Sequence, residues 1–184
     1  KSCILDPVNA ALPDGVEFVS VHPMAGREVG GIENADDGIF NGANYIVVPS
    51  EKNSEEAIRL CEDLGRELGF GRISRLSAAE HDDMIAFLSQ LTHCVAVSLM
   101  CANDDDRLVA YTGDSFRDLT RIARINDEMW SELFLMNKEP LLAQMDRFLD
   151  EFARLRRSLE DDDRDTMRQM MKKSTARRAL FDKK

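Results

Sequence analysis

The segment Ser77–Ala102, SAAEHDDMIAFLSQLTHCVAVSLMCA, carries two of the three histidines in this chain of 184 residues. Ser77 and Glu80 have the spacing of a capping box, in which a hydroxyl and a carboxylate bind free backbone N–H groups at a helix start. Between Cys94 and Met100 only Ser98 is polar, a pattern typical of a core or subunit-interface helix. The length and the acids near its start argue against a membrane span. We therefore predict one buried helix here.

The two histidines of this helix, His81 and His93, are twelve residues apart in the sequence. At a rise of about 1.5 Å per residue they would lie about 18 Å apart, which is too far for both to bind one metal ion. Ser89 and His93 are four residues apart and share one helix face. The spacing supports a metal site poorly, and we predict none.

The composition is that of a soluble globular protein, with 43% hydrophobic and 32% charged residues. A net charge of −10 argues against nucleic acid or an anionic membrane surface as the main partner. The four cysteines show no C-x-x-C spacing, which indicates free thiols in a reducing compartment. No signal peptide is visible. We expect a cytoplasmic protein that binds neither nucleic acid nor membranes.

The first part of the chain has the pattern of an α/β unit. The run Val16–Val21 predicts a strand, so that His22 would stand where the strand ends, at the sheet edge where ligands bind. A histidine that simply fills the strand end is an equally good interpretation. The segment Arg27–Gly42 predicts an acidic, glycine-rich loop and not a phosphate loop. Tyr45–Val48 predicts a second strand, and Gly71–Leu76 a short extended link.

The second part of the chain is predicted to be helical. A helix from Asp114 to Ile125 would carry Arg117, Arg121 and Arg124 at i, i+4 and i+7. Such a basic edge suits bidentate binding of a carboxylate. Surface ion pairs with nearby aspartates are the alternative explanation. Further helices are predicted over Asp127–Met136, from Pro140 to Leu159, and in the basic tail, and the apolar stripe of the long helix requires a partner helix.

Three motifs together resemble the prephenate dehydrogenase family of tyrosine biosynthesis. They are HPMAGRE at His22–Glu28, AEHDDMIAFLSQLTH at Ala79–His93, and FRDLTRIA followed by MW within Phe116–Trp130. The motifs occur in the order that the family has. A G-x-G-x-x-G turn does not occur in this sequence.

The resemblance implies a mainly α fold. A helical dimerisation domain would follow a small α/β remnant of a Rossmann-type nucleotide-binding domain. We expect residues 1–76 to be the C-terminal part of the nucleotide-binding domain, and residues 77–184 to be an all-helical substrate-binding and dimerisation domain. A homodimer through the helical domain is the expected assembly.

The resemblance also implies an activity, the oxidative decarboxylation of prephenate to 4-hydroxyphenylpyruvate with NAD or NADP. His22 matches the histidine that hydrogen-bonds the ring hydroxyl of the substrate and takes its proton, which requires a group that titrates near neutrality. Arg121 matches an arginine that binds a substrate carboxylate, with Arg117 as a helper. Glu28 matches an acidic residue that pairs with the binding arginine and gates the pocket.

Other matches fall on the central helix. Ser89 and His93 match the serine and the last histidine of a family segment, S-H-L-P-H, that faces the substrate. Gln90 and Thr92 replace the histidine and the proline of that segment. His81 and the following aspartate match a family pair that we interpret as a helix-start network.

Two other functions remain compatible with these residues. The substrate could be arogenate instead of prephenate, and the sequence does not discriminate between them. Alternatively, the chain is a non-catalytic helical dimerisation module, because the dinucleotide-binding turn is absent and the apolar stripe from Leu141 to Leu159 suits a dimer contact. A chain without that turn is expected to show little or no turnover alone.

Overall fold

A computed structural model of the chain describes residues 1–26 and 31–182. The described part is mainly helical, as the sequence predicts. It divides into two compact units, Lys1–Leu141 and Leu142–Lys184. The helices are α1 Ser2–Ala11, α2 Glu55–Glu67, α3 Ala78–Ile85, α4 Leu91–Cys101, α5 Asp114–Thr120, α6 Asp127–Met136, α7 Lys138–Glu160 and α8 Arg164–Arg178, and the strands are β1 Ser20–Met24, β2 Asn44–Val48 and β3 Arg72–Arg75.

The sheet of the first unit has the strand order β1-β2-β3, with β1 antiparallel and β3 parallel to β2. β3 lies where the sequence predicted only an extended link. Successive side chains of a strand point to opposite faces, and both faces of β2 are buried. Tyr45 and Val47 pack with residues of α2 and with Phe70, whereas Ile46 and Val48 pack with Leu5 of α1. β2 is therefore the centre of two small cores.

The position of His22 in β1 differs from the prediction. The strand does not end at His22, because it continues to Met24 and places His22 opposite Ile46 and Pro23 opposite Tyr45. Proline is accepted in a strand where its missing N–H is not needed by the partner strand. Directly opposed residues share a face of the sheet. His22 thus lies on the Ile46 face, where α1 and the start of α3 pack.

A π-helical turn, Ala86–Gln90, joins α3 and α4 into one central helix, Ala78–Cys101. The predicted capping box is present, with Ser77 N donating to the Glu80 carboxylate at 2.8 Å and Glu80 N to the Ser77 hydroxyl at 3.3 Å. A π-turn inserts one residue into the helix. At about 100° per residue, the insertion reduces the angle between His81 and His93 about the helix axis from about 120° to about 20°.

By length and composition alone, the central helix could cross a membrane. An 18-residue window has a mean hydropathy of 1.7, and 22% of that window is buried inside this chain. The core helix of a soluble protein passes the same test, so the finding is weak evidence for a span. The low burial shows that much apolar helix surface remains exposed in the isolated chain.

The helix predicted from Asp114 to Ile125 is wrong in its second half. α5 ends at Thr120, and a 3-10 turn covers Arg121–Ala123. The Thr120 hydroxyl donates to the Phe116 carbonyl at 2.7 Å, a back-bond that weakens helix continuation. Arg121 has therefore left the α-helix, and the three arginines do not form the regular edge that the i, i+4, i+7 spacing predicts.

The second unit is a helical hairpin made of the part of α7 from Leu142 onward and α8. Lys173 of α8 forms an ion pair with Glu151 of α7 at 3.7 Å. The Asp163 side chain caps α8 by accepting from Thr166 N at 3.0 Å. Several large apolar side chains of α7 remain exposed, namely Leu142, Phe148, Leu149, Phe152 and Leu159. The predicted apolar stripe is thus only partly covered within the described residues.

Gly65 allows α2 to approach β2 closely, and we predict that Gly65→Ala destabilises the protein. A Cβ at this position would lie 2.7 Å from the ring of Tyr45, which is 3% exposed and has no room to move. The clash should outweigh the gain in helix propensity of about 1 kcal/mol. We expect the free energy of unfolding in urea to fall by roughly 1–2 kcal/mol.

Gly113→Ala is the matched control, because no atom lies within 4 Å of the Cβ position there. Its free energy of unfolding should change by less than about 0.5 kcal/mol. Equal stability of the Gly65→Ala variant and the wild type would refute the close packing of α2 on β2.

Candidate functional site

Two histidines and an aspartate meet between β1 and the start of the central helix. His22 Nδ1 lies 2.8 Å from His81 Nε2, and His81 Nδ1 lies 2.9 Å from Asp82 Oδ1. The second carboxylate oxygen of Asp82 accepts from Ser2 N at 2.8 Å, and the amino group of Lys1 also donates to Asp82. We call Asp82, His81 and His22 the proton relay. His81 and Asp82 are only 4% and 7% exposed.

The relay determines which ring nitrogen of each histidine carries the proton. An ionised carboxylate only accepts hydrogen bonds, so His81 Nδ1 must donate to Asp82. The Nε2 of neutral His81 is then an acceptor, and His22 Nδ1 must donate to it. Neutral His22 therefore has its lone pair on Nε2. This arrangement leaves one basic nitrogen of His22 outside the relay.

Burial and neighbouring charges bias the relay toward this protonation state. Burial, with an added repulsion from His81, lowers the pKa of His22 to about 4, below the near-neutral titration expected of this residue from the sequence. Burial also lowers the pKa of His81, against the opposing hydrogen bond to Asp82. Burial alone would raise the pKa of Asp82, but hydrogen bonds to its carboxylate, among them those from His81 and Ser2, outweigh it and keep the pKa well below its usual range. At neutral pH both histidines of the relay are neutral and Asp82 is ionised.

His93 lies in a second polar group farther along the central helix. Its Nδ1 donates to the Ser89 carbonyl oxygen at 2.8 Å, which directs Nε2 away from the helix backbone. Its ring stacks on Trp130 of α6 with 3.8 Å between ring centroids. The predicted pairing of Ser89 and His93 is therefore made through the backbone of Ser89.

The predicted arginines have different environments. Arg121 lies in the 3-10 turn that packs against α4, the helix that carries His93. Arg117 is exposed and binds Asp114 at 2.9 Å and the Thr112 carbonyl at 3.2 Å. Its environment matches the surface ion pairs that were the alternative to carboxylate binding. Glu28 falls outside the described residues.

Sequence reasoning missed the contact of His81 with His22. The available signal was a His-Asp pair in the first turn of a helix predicted to be buried, since buried polar groups need partners. The hydrogen bond between buried Gln90 and half-buried Asn137, at 2.8 Å, was also missed. In the part of the chain that the structure describes, no three His, Cys, Asp or Glu side chains are grouped as metal ligands would be.

Family models match nearly the whole chain. Residues 77–173 match the model described as prephenate dehydrogenase, dimerization domain, and residues 1–73 match that of the prephenate dehydrogenase nucleotide-binding domain. The chain belongs to the prephenate dehydrogenase family. The resemblance of the three sequence motifs is thereby confirmed, and the Rossmann-type origin of the sheet is consistent with the matched nucleotide-binding model.

Individual relatives of this prephenate dehydrogenase family member are moderately similar. A prephenate dehydrogenase of Bacillus subtilis strain 168 is 28% identical over 172 residues, which are 91% of this chain and 46% of that protein. A cyclohexadienyl dehydrogenase of Zymomonas mobilis is 30% identical over 187 residues, which are 98% of this chain and 63% of that protein. The chain therefore spans about half to two thirds of the length of these two relatives.

Solved structures of the family share the fold. A prephenate dehydrogenase from A. aeolicus, crystallised with hydroxyphenyl propionate and NAD+, aligns with a TM-score of 0.82 and 27% identity over 91% of this chain and 60% of that chain. An arogenate dehydrogenase from Synechocystis aligns with a TM-score of 0.78 and 23% identity, over 90% of this chain and 62% of that chain.

The lowered pKa of His22 predicts that acid destabilises the fold. The unfolded chain protonates His22 near 6.5 and the folded chain near 4, so between these values the unfolded state binds more protons. The stabilisation is complete above about pH 6.5 and is lost as the pH falls toward about 4. We expect urea denaturation to show this decline, and His22→Gln to reduce its slope. An unchanged slope in the variant would contradict the burial of neutral His22.

Proposed function

We propose that this chain carries the substrate-binding and proton-transfer residues of a prephenate dehydrogenase. The reaction is the oxidative decarboxylation of prephenate to 4-hydroxyphenylpyruvate. In it the ring hydroxyl loses a proton, the carbon that bears the hydroxyl loses a hydride, and the bond to the ring carboxylate breaks. The ring then becomes aromatic, carbon dioxide leaves, and the proton returns to the ring oxygen to give the phenol.

The observation that carries this proposal is the lone pair that the relay leaves on His22 Nε2. A hydroxyl placed within hydrogen-bond distance of this nitrogen can transfer its proton there as the hydride departs. The positive charge that develops on His22 is stabilised through His81 toward ionised Asp82. The relay thus has the arrangement of a nucleophile-activating triad, applied here to the substrate hydroxyl.

We assign binding of the substrate carboxylates to residues near α4. Arg121, in the turn packed against α4, is the proposed partner of one carboxylate. His93 presents Nε2 beside the face of Trp130 and would contact a polar group of the substrate. Ser89, in the π-turn, is proposed to line the same site. Arg117 is a helper at most, given its bonds to Asp114 and Thr112.

The hydride acceptor in this proposal is NAD or NADP, as expected for a chain that matches the family's nucleotide-binding model. When bound, such a cofactor accepts the hydride. The turn after Gly31 does not suit a pyrophosphate, because it is a short 3-10 helix that contains Glu33 and is followed by Asp36 and Asp37. We therefore assign no residue of this chain to the cofactor.

A homodimer is the proposed assembly, supported by the match to the family's dimerization domain. The exposed apolar surface of the central helix and of α7 would be covered by a second copy. A division near residue 76, which the two matched ranges support, and a location in the cytoplasm belong to the same proposal.

We predict that Arg121→Ala weakens the binding of prephenate by about 2 kcal/mol, roughly 30-fold, because a carboxylate loses its charged partner. Isothermal titration of the chain with prephenate measures this change, with Arg124→Ala as the matched control on the same segment. A titration with arogenate tests the other substrate. Failure of both compounds to bind would contradict the proposed substrate site and favour the non-catalytic dimerisation module.

We also predict that His22→Asn abolishes most of the turnover without abolishing binding. Loss of a general base typically lowers the rate constant by 10²- to 10⁴-fold. Absorbance of NADH measures kcat in any preparation whose wild type is active, and calorimetry measures the affinity of the variant for prephenate. A variant that retains kcat would exclude His22 as the proton acceptor.

A further inference from the structure

Two amide side chains, one buried and one half-buried, connect the relay to α6. Asn137, between α6 and α7, donates through Nδ2 to the Asp82 carbonyl oxygen at 2.9 Å and to Gln90 Oε1 at 2.8 Å. Gln90 Nε2 donates to the Leu133 carbonyl oxygen at 2.9 Å. We call Gln90 and Asn137 the amide bridge. Gln90 is 4% exposed, although it follows directly after the half-buried Ser89.

The hydrogen-bonding capacity of the bridge matches its surroundings. The amide of Asn137 has two N–H donors, and each has an acceptor. The Leu133 carbonyl belongs to the last turn of α6, where carbonyls lack helical partners. Gln90 thus satisfies a helix end with one atom and orients Asn137 with the other. Loss of either amide would leave buried polar atoms unpaired.

The bridge acts on the relay at one peptide group. Asp82 uses its side chain to orient His81, while its carbonyl oxygen accepts from Asn137. This carbonyl also accepts from Ala86 N, the first residue of the π-turn. Asn137 therefore fixes the backbone at the point where the relay and the irregular turn meet. Because rotation of this peptide would move the carboxylate of Asp82, the orientation of His81 depends on the bridge.

We propose that Gln90 and Asn137 are positioning residues, whose amide bridge to the Asp82 carbonyl keeps the relay aligned so that His22 retains its lone pair on Nε2. The inference deepens the proposed function and rests on the role given there to His22. The bridge also reaches α6, which carries Trp130 against His93. The hydrogen bonds of the amide bridge therefore fix the positions of both the relay and the His93–Trp130 pair relative to the central helix.

The test is nitrogen NMR of the histidine rings in the 184-residue chain, with Asn137→Ala as the main variant. In the wild type, His22 Nδ1 should carry the proton and Nε2 should be unprotonated at neutral pH. In the variant we expect a mixture of the two neutral tautomers and a rise in the pKa of His22 from about 4 toward 6.5, by about one pH unit or more.

Asn126→Ala is the matched control. Asn126 caps the other end of α6 by accepting from Met129 N at 3.0 Å, and among the described residues its side chain makes no hydrogen bond with the relay. Asn126→Ala should lower the melting temperature about as much as Asn137→Ala does, and it should leave the His22 tautomer unchanged. A purely structural role of Asn137 would give the same result as this control, and that outcome would overturn the proposal.

A second variant, Gln90→Met, tests whether the amide bridge orients the relay if Asn137→Ala does not fold. Methionine has a similar shape but removes the bonds to Asn137 and Leu133 without adding charge. We expect a smaller shift in the same direction for His22. Folded Gln90→Met with the wild-type tautomer and pKa of His22 would refute the bridge.

Kinetics separates this inference from the proposed function. In an active preparation, Asn137→Ala should lower kcat about tenfold and change KM less than about twofold, because the proton acceptor is misaligned while the binding groups remain. A wild-type chain that binds neither prephenate nor arogenate would contradict the proposed function. The NMR result would still show whether the amide bridge orients the relay.

Discussion

The hydrogen bond between His22 and His81 is the interaction on which the arrangement of the site depends. One partner comes from the sheet and the other from the first turn of the central helix. The bond forms because the register of β1 on β2 places His22 on the face that α1 and α3 cover. Buried ring nitrogens need hydrogen-bond partners, and ionised Asp82 can only accept. The carboxylate therefore sets which atom donates in the bond from His81 to Asp82 and in the bond from His22 to His81. The packing of the first unit therefore sets both the tautomer of His22 and its lowered pKa.

Two irregular helical turns determine which elements the helices contact in this chain. The π-turn rotates α4 relative to α3, so that residues before the turn contact β1 while residues after it contact α6. Such a turn interrupts the regular ladder of backbone bonds, and hydrogen bonds of Gln90 and Asn137 tie it to the segment between α6 and α7. The 3-10 turn after α5, which contains the exposed Arg121, packs against α4.

Local sequence patterns predicted most elements of the fold and only part of the site. The capping box at Ser77 and the spacing of apolar residues identify the helices, because these signals arise within a few residues. The short strand β3 and the extension of β1 past Pro23 depend on pairing with β2, which local propensity does not contain. His22 was identified by its motif. The role of His81 required knowledge of which strand the central helix covers, and the π-turn that aligns His93 has no sequence signature of its own.

The relay also constrains how the molecule can open. His22 belongs to the range that matches the nucleotide-binding model, and His81 belongs to the range that matches the dimerization model. A hinge at the short connection after β3 would separate these residues and return His22 to the behaviour of an ordinary solvated imidazole. Loss of the contact would therefore raise the pKa of His22 from about 4 toward 6.5. The protonation state of His22 thus reports whether the two ranges that match the family models are docked on each other.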